Sequence, residues 1–207
     1  GWASIIHDAG LGKTATILRT WAKMRKKDKA LRLVVSCPAC TLRAVWEEHA
    51  KIWLKNVNIL VIDKLKVLNK NDPSNYDIVF ITRNLVSSAF KKSWGWEDDS
   101  DDFLDARGRW RKRGSFVKWR KDLPLFDHYS GKTLLVIDES HYLRNGGRRK
   151  VCVQAHHYLA RNMEYAIINT ATPVCNRPED VASQLFSIAL EMNDDLPEKV
   201  RDLVKPK

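Results

Sequence analysis

An α/β fold on a largely parallel sheet, with helices on both faces, is the architecture this chain predicts, and three observations carry that expectation. Short apolar runs bounded by turn residues alternate with segments of helical periodicity. The first run, Trp2-Ala3-Ser4-Ile5-Ile6, leads through Gly10-Leu11-Gly12-Lys13-Thr14 into a helical segment; strand, glycine loop and helix in that order form a phosphate cradle. A later run, Thr133-Leu134-Leu135-Val136-Ile137, ends directly in Asp138-Glu139, at the strand edge where ligands of such sheets bind.

The elements come in order. A helix is expected from about Lys13 to Arg25, with Ile17, Leu18 and Trp21 on one face, before the basic run Arg25-Lys26-Lys27-Asp28-Lys29. Leu31 to Ser36 reads as a strand buried on both faces, stopped by Pro38. Thr41 is placed to cap a second helix, Leu42 to Leu54, in which Leu42, Val45, Trp46, His49 and Trp53 recur at helical spacing. Its tryptophans read as core in preference to nucleic-acid platforms. Val57 to Ile62 and Asp77 to Thr82 are further strands, separated by a polar connection through Asp72-Pro73-Ser74-Asn75. Leu134 to Ile137 and Tyr165 to Ile168 complete the sheet, with helical patterns at Arg148 to Ala160 and Glu179 to Leu190.

The interval 91–131 breaks this rhythm. An acidic run, Glu97 to Asp102, precedes basic and aromatic blocks that include Arg107, Arg109, Trp110, Arg111, Lys118, Trp119 and Arg120. The simpler reading is a solvated, partly flexible insertion whose charge blocks face each other. The sharper one has Arg109 and Arg111 on phosphates and the tryptophans stacked on bases.

Composition bounds the rest. With 207 residues and 44% hydrophobic content, one domain with a substantial core is expected. A net charge of +11 points to a polyanionic partner, nucleic acid before an acidic membrane surface or acidic protein. Four scattered cysteines fit a reducing compartment; Cys37 and Cys40 have C-x-x-C spacing, but Cys152 and Cys175 form no second pair, which argues against zinc. No apolar run approaches the roughly 20 residues that span a bilayer, and no signal peptide opens the sequence, so a soluble intracellular protein is expected.

Taken singly, the two anchors are incomplete. The full phosphate-loop pattern wants glycine at the position of His7, and a bare GLGKT can be a surface turn. A strand-end Asp-Glu can equally cap the next helix. Together on one sheet edge they form the halves of one site: Lys13 toward the terminal phosphates, Thr14 and Asp138 toward Mg²⁺, and Glu139 toward the attacking water.

In the residues of these two anchors and the motifs around them, the chain resembles the first RecA-like lobe of superfamily-two helicases, and within them the Swi/Snf-type DNA-dependent ATPases. That group's pattern runs GLGKT, a Pro-containing segment with a downstream Trp, DEAH followed by Asn, then TGTP followed by Asn. Here Gly10 to Thr14, Cys37-Pro38-Ala39 with Trp46, Asp138-Glu139-Ser140-His141 with Asn145, and Thr170-Ala171-Thr172-Pro173 with Asn176 occur in that order. Each motif is modest alone; the ordered set spans nearly the whole chain.

The resemblance implies a P-loop NTPase lobe over residues 1–207 that binds ATP and Mg²⁺ through Gly10, Gly12, Lys13, Thr14 and Asp138, with Glu139 activating water. His141, Thr170 and Thr172 would couple that site to a DNA track running past Pro38 and along Thr82 and Arg83. Trp46 is expected to pack. Duplex DNA, a nucleosome or another protein–DNA complex, and a nuclear location are implied as well. Three departures stand out: His7-Asp8-Ala9 where the family usually has Asp-Glu-Met, Ser140 for alanine, and Ala171 for glycine, which adds a methyl to the coupling turn. In the family a second lobe supplies arginines, and an arginine finger is worth about 10³ to 10⁵ in rate. Residues 1–207 hold no second lobe, and residues gripping adenine are expected upstream of Gly1, so weak activity is expected of these residues alone. A strand-separating or RNA helicase lobe is the nearest enzymatic alternative. The alternative from another class is a non-catalytic nucleic-acid- or protein-binding fragment of a truncated helicase-like protein.

Overall fold

A computed structural model describes residues 1–8, 10–93, 102–104, 110–112, 131–143, 151–172, 184–185 and 188. The elements are β1 (Trp2–Ile6), α1 (Lys13–Lys27), β2 (Arg32–Cys37), β3 (Ile59–Ile62), β4 (Ile78–Thr82), β5 (Asp102–Leu104), β6 (Trp110–Lys112), β7 (Gly131–Asp138) and β8 (Met163–Thr170). Between β2 and β3 runs a helical segment, α2, made of Ala39–Thr41, a π-helical stretch Leu42–Glu47, and Glu48–Trp53. Shorter helices α3 (Leu65–Lys70), α4 (Arg83–Ser93) and α5 (Val151–Arg161) come after their strands.

Six strands form one sheet in the order β1-β8-β7-β2-β4-β3, and every neighbouring pair is parallel. The parallel α/β expectation therefore holds. Alternation along the strands sorts the core into two layers. Leu33, Val35, Ile78, Phe80, Leu134 and Val136 face Ile17, Leu18 and Trp21 of α1 and Leu42 and Trp46 of α2. Val34, Val79, Ile81, Leu135 and Ile137 face Val86 of α4 and Val153 and Leu159 of α5. Because both faces are covered, the central strands read as continuous apolar runs instead of alternating ones. β1, at the sheet edge, leaves Trp2 and Ile6 exposed.

Four local readings are adjusted. Thr41 lies inside the helical segment, where its hydroxyl donates to the Pro38 carbonyl at 3.1 Å, and Pro38 occupies the N-cap. Along α2 the buried face is Leu42, Trp46, Ala50 and Leu54, four residues apart each time, because the π-helical stretch widens the turn. Trp53 therefore falls off that face; it is 44% exposed and lies beneath the Arg19 guanidinium, 4.2 Å from its carbon. Within 91–131, β5 and β6 pair antiparallel, with Phe103 opposite Arg111. Arg109, Asn145, Pro173 and Asn176, and most of the expected helix Glu179 to Leu190, lie outside the described residues; Gln184 and Leu185 are helical.

Parallel register brings the ends of the strands to one edge. Ile6 pairs with Thr170, Asp138 with Asn169, Ser36 with Ile137, and Cys37 with Thr82. Everything that leaves the C-terminal ends of β1, β8, β7, β2 and β4 emerges there together.

Candidate functional site

The loop between β1 and α1 depends on two glycines in the left-handed region, Gly10 at φ 81° and Gly12 at φ 75°. A Cβ at either would meet nothing within 4 Å, so the requirement is conformational, not steric crowding by neighbours. Gly12 is the N-cap of α1 and makes no side-chain cap, leaving the first-turn amides directed to the loop. Lys13 Nζ donates to the carbonyls of His7 at 3.0 Å and Asp8 at 3.1 Å, closing the loop on itself. His7 takes part there through its carbonyl oxygen, which any residue supplies; that accounts for a non-glycine at this position.

Asp138 ends β7 and is 6% exposed. Trp46 Nε1–H donates to its Oδ2 at 2.8 Å, and Asn169 Nδ2–H to its Oδ1 at 2.6 Å. Burial pushes the carboxyl above its usual range and the neighbouring Glu139 charge adds to this, while the two donors pull it back. Glu139 turns off the strand tip at φ 50°, an uncommon conformation for a side-chain-bearing residue, and its carbonyl accepts from Arg83 Nη1 at 3.3 Å. His141 Nδ1 lies 3.0 Å from Glu139 Oε2 and 3.0 Å from Thr170 Oγ1. Thr170 Oγ1 in turn accepts the Thr172 amide at 3.1 Å. The structure thus joins Glu139, His141, Thr170 and Thr172 in one chain of contacts. Ser140 is buried, and its hydroxyl donates to Gln184 Oε1 at 2.7 Å.

Beside this centre, Cys37, Pro38, Ala39, Thr82, Arg83 and Asn84 line a small cavity of about 60 Å³ at the ends of β2 and β4. Arg83 is turned toward the acidic tip, with its guanidinium 4.1 Å from the Tyr142 ring centroid, and burial lowers its pKa. Thr82 Oγ1 accepts the Leu85 amide at 3.4 Å at the start of α4. Cys37 is buried beneath the cavity, and burial pushes its thiol upward, opposite to the shift of an activated thiolate.

The donor set fits a Mg²⁺-bound nucleotide triphosphate. Hard oxygen ligands are available from Thr14 and Asp138, an anion cradle from the loop amides and Lys13, and Asn169 Oδ1 is a buried polar atom without a partner beside Asp138. Asn169, the Trp46 N–H and Gln184 are parts of the site that the sequence reading does not foresee. Asn169 carries the one legible signal, a polar residue interrupting the apolar run Ala166-Ile167-Ile168 just before Thr170.

A glycine loop opening a helix and a carboxylate pair two strands away on the same parallel edge define a P-loop α/β lobe of the RecA-like type. The SNF2-related domain model matches residues 4–196, and the chain belongs to that family. The family in general is one of nucleotide-using hydrolases of the ATPase or helicase type. Among solved structures, the chain is similar to the Sulfolobus solfataricus SWI2/SNF2 ATPase core in complex with dsDNA, at 21% identity and TM-score 0.57, covering 89% of this chain and 30% of that one. The Sulfolobus solfataricus SWI2/SNF2 ATPase core domain gives 19% identity and TM-score 0.57 over 91% and 31% of the two chains. The Pyrococcus furiosus Hef helicase domain gives 15% and 0.56 over 89% and 32%. The chain therefore spans about a third of the length of the structures it matches. No curated protein matches it. Among the described residues, no helix is long and apolar enough to cross a membrane.

Proposed function

We propose that residues 1–207 form the ATP-binding lobe of a Swi/Snf-like DNA-dependent ATPase, a duplex DNA translocase of the chromatin-remodeller type, with 91–131 as an insertion. The observation that carries this reading is that the loop bearing Lys13 and the β7 tip bearing Asp138 and Glu139, with the His141–Thr170 contact, leave the same edge of one parallel sheet. Lys13 and the amides after Gly12 hold phosphate oxygens, and Thr14 and Asp138 hold the cation. Mg²⁺, when bound, neutralises charge on the phosphates and orients them for attack by water. Glu139 accepts the proton of that water, and its contact with His141 ties its position to Thr170 and Thr172, which lead into the next segment.

The cavity around Pro38, Thr82 and Arg83 lies on the same edge and suits a phosphate of duplex DNA, in keeping with the net charge of +11. Arg109 and Arg111 of the insertion add further phosphate contacts. A second RecA-like lobe completes the active enzyme, and a nuclear protein–DNA complex is its setting.

Binding of a fluorescent ATP analogue tests the reading directly. Affinity is expected to require Mg²⁺ and to fall at least about tenfold in Lys13→Ala, since a charge-assisted contact to phosphate is lost. A chain joined to a second lobe is expected to hydrolyse ATP faster with duplex DNA than with RNA. Salt-sensitive DNA binding by a folded chain that ignores nucleotide would favour the non-catalytic module instead.

A further inference from the structure

A carboxylate as buried as Asp138 has lost most of the water that would otherwise hold it, so its orientation depends on the donors the protein supplies. Besides the backbone N–H of Glu139, two side chains donate to it, one to each oxygen, and they come from different elements. Asn169 reaches across from β8, in register with Asp138. Trp46 reaches from the π-helical stretch of α2, where the widened turn keeps it on the same buried face as Leu42 and Ala50; such stretches are frequent at functional sites.

Asn169 is the more telling of the two. Its amide nitrogen is committed to Asp138, yet its Oδ1 is buried with no hydrogen-bond partner. An aliphatic side chain, like that of Ile168 next to it, would avoid this cost and continue the apolar run Ala166-Ile167-Ile168. A buried amide oxygen left unpaired next to a metal-holding carboxylate is placed to accept from water around a cation.

We infer that Asn169 and Trp46 are positioning residues: they clamp the two Asp138 oxygens for a divalent cation, and Asn169 Oδ1 accepts a hydrogen bond from water in that cation's shell. The inference rests on the ATP-binding reading above. It assigns the clamp no contact with the nucleotide itself. Its effect is therefore confined to the metal-dependent part of binding.

The test is equilibrium binding of the fluorescent ATP analogue to the full chain across a Mg²⁺ series and in EDTA, for the unsubstituted protein, Asn169→Leu and Trp46→Phe. Asn169→Leu removes the donor and the unpaired acceptor together; Trp46→Phe keeps an aromatic ring and loses the N–H. Outer-shell partners of metal ligands typically contribute about 10–100-fold in affinity, so half-saturating Mg²⁺ should rise by about tenfold or more in each variant. In EDTA the variants and the unsubstituted chain should bind equally weakly, and Asn169→Leu should unfold at or above the temperature of the unsubstituted chain. A folded Asn169→Leu whose Mg²⁺ midpoint stays where it was overturns the clamp while leaving the ATP reading intact. Binding by the unsubstituted chain that ignores both Mg²⁺ and Lys13→Ala overturns the ATP reading and the clamp with it. If Trp46→Phe proves too destabilised to measure, Asn169→Leu alone decides.

Discussion

His156 makes folding stability depend on pH between about 4 and 6.5, and the size of the effect comes from its surroundings. The ring is fully buried on α5; Nδ1–H donates to the Cys152 carbonyl one turn back at 2.6 Å, and Nε2 lies 2.7 Å from the Ser36 hydroxyl of β2. Burial pushes the imidazole down to about 4; the Cys152 carbonyl opposes this and the Arg83 charge adds to it. In the unfolded chain the ring takes its proton near 6.5, whereas in the folded chain it does so only near 4. Between those values the unfolded state binds more protons, so stability falls as pH falls and levels off below about 4. At about 1.4 kcal/mol per pH unit, that window amounts to about 3 kcal/mol, a large share of a typical domain's stability. Urea unfolding of the wild type and His156→Gln, at steps from about pH 8 to pH 4, isolates the contribution, because carboxylates common to both proteins cancel in the difference. The wild type is expected to lose stability faster than the variant across the window. Parallel curves, or an imidazole that titrates near its ordinary value by NMR in the folded protein, would refute the reasoning.

Two further outcomes are expected. Asp77 pairs with Arg25 of α1 and accepts the Asn58 amide at 2.8 Å, tying α1 to the start of two strands. Asp77→Ala should therefore cost about 2 kcal/mol by urea denaturation, roughly what removing a charged partner from a half-buried donor costs. Glu139→Gln keeps the shape of the side chain and removes the proton acceptor. In a chain joined to a second lobe it should lower ATP turnover by at least about 100-fold with little change in nucleotide affinity.

Much of the sheet is readable because its central strands are covered on both faces: Leu33 to Ser36, Ile78 to Ile81 and Leu134 to Ile137 announce themselves as apolar runs. The positions of Gly10, Gly12, Asp138 and Glu139 come with them, since a strand, a turn and a helix fix where a loop must emerge. What escapes is whatever depends on contacts between distant segments. The expectation that Trp46 packs gives its burial but not its 2.8 Å bond to Asp138, ninety-two residues away. Asn169, Ser36 with His156, and Ser140 with Gln184 are pairings across elements, and no local period encodes them. The helix of Arg83–Ser93 is not anticipated, and neither are the contacts of Arg83 with the Glu139 carbonyl and the Tyr142 ring. Trp53 is misplaced by helical spacing counted at the ordinary pitch, which α2 does not keep.

The widened turn of α2 makes this site sensitive to length as well as to chemistry. An ordinary helix advances about 100° per residue, so adding one residue between Leu42 and Trp46 that the widened turn does not absorb would rotate the Glu48–Trp53 end by roughly that angle against the Ala39–Thr41 end. Ala50 would leave the sheet, Trp53 would approach it, and the Trp46 indole would swing away from Asp138, although the composition of the segment would scarcely change. Comparisons that weigh only which residues are present would rate such a chain as nearly identical. The segment works as a spacer whose count of residues is itself the information.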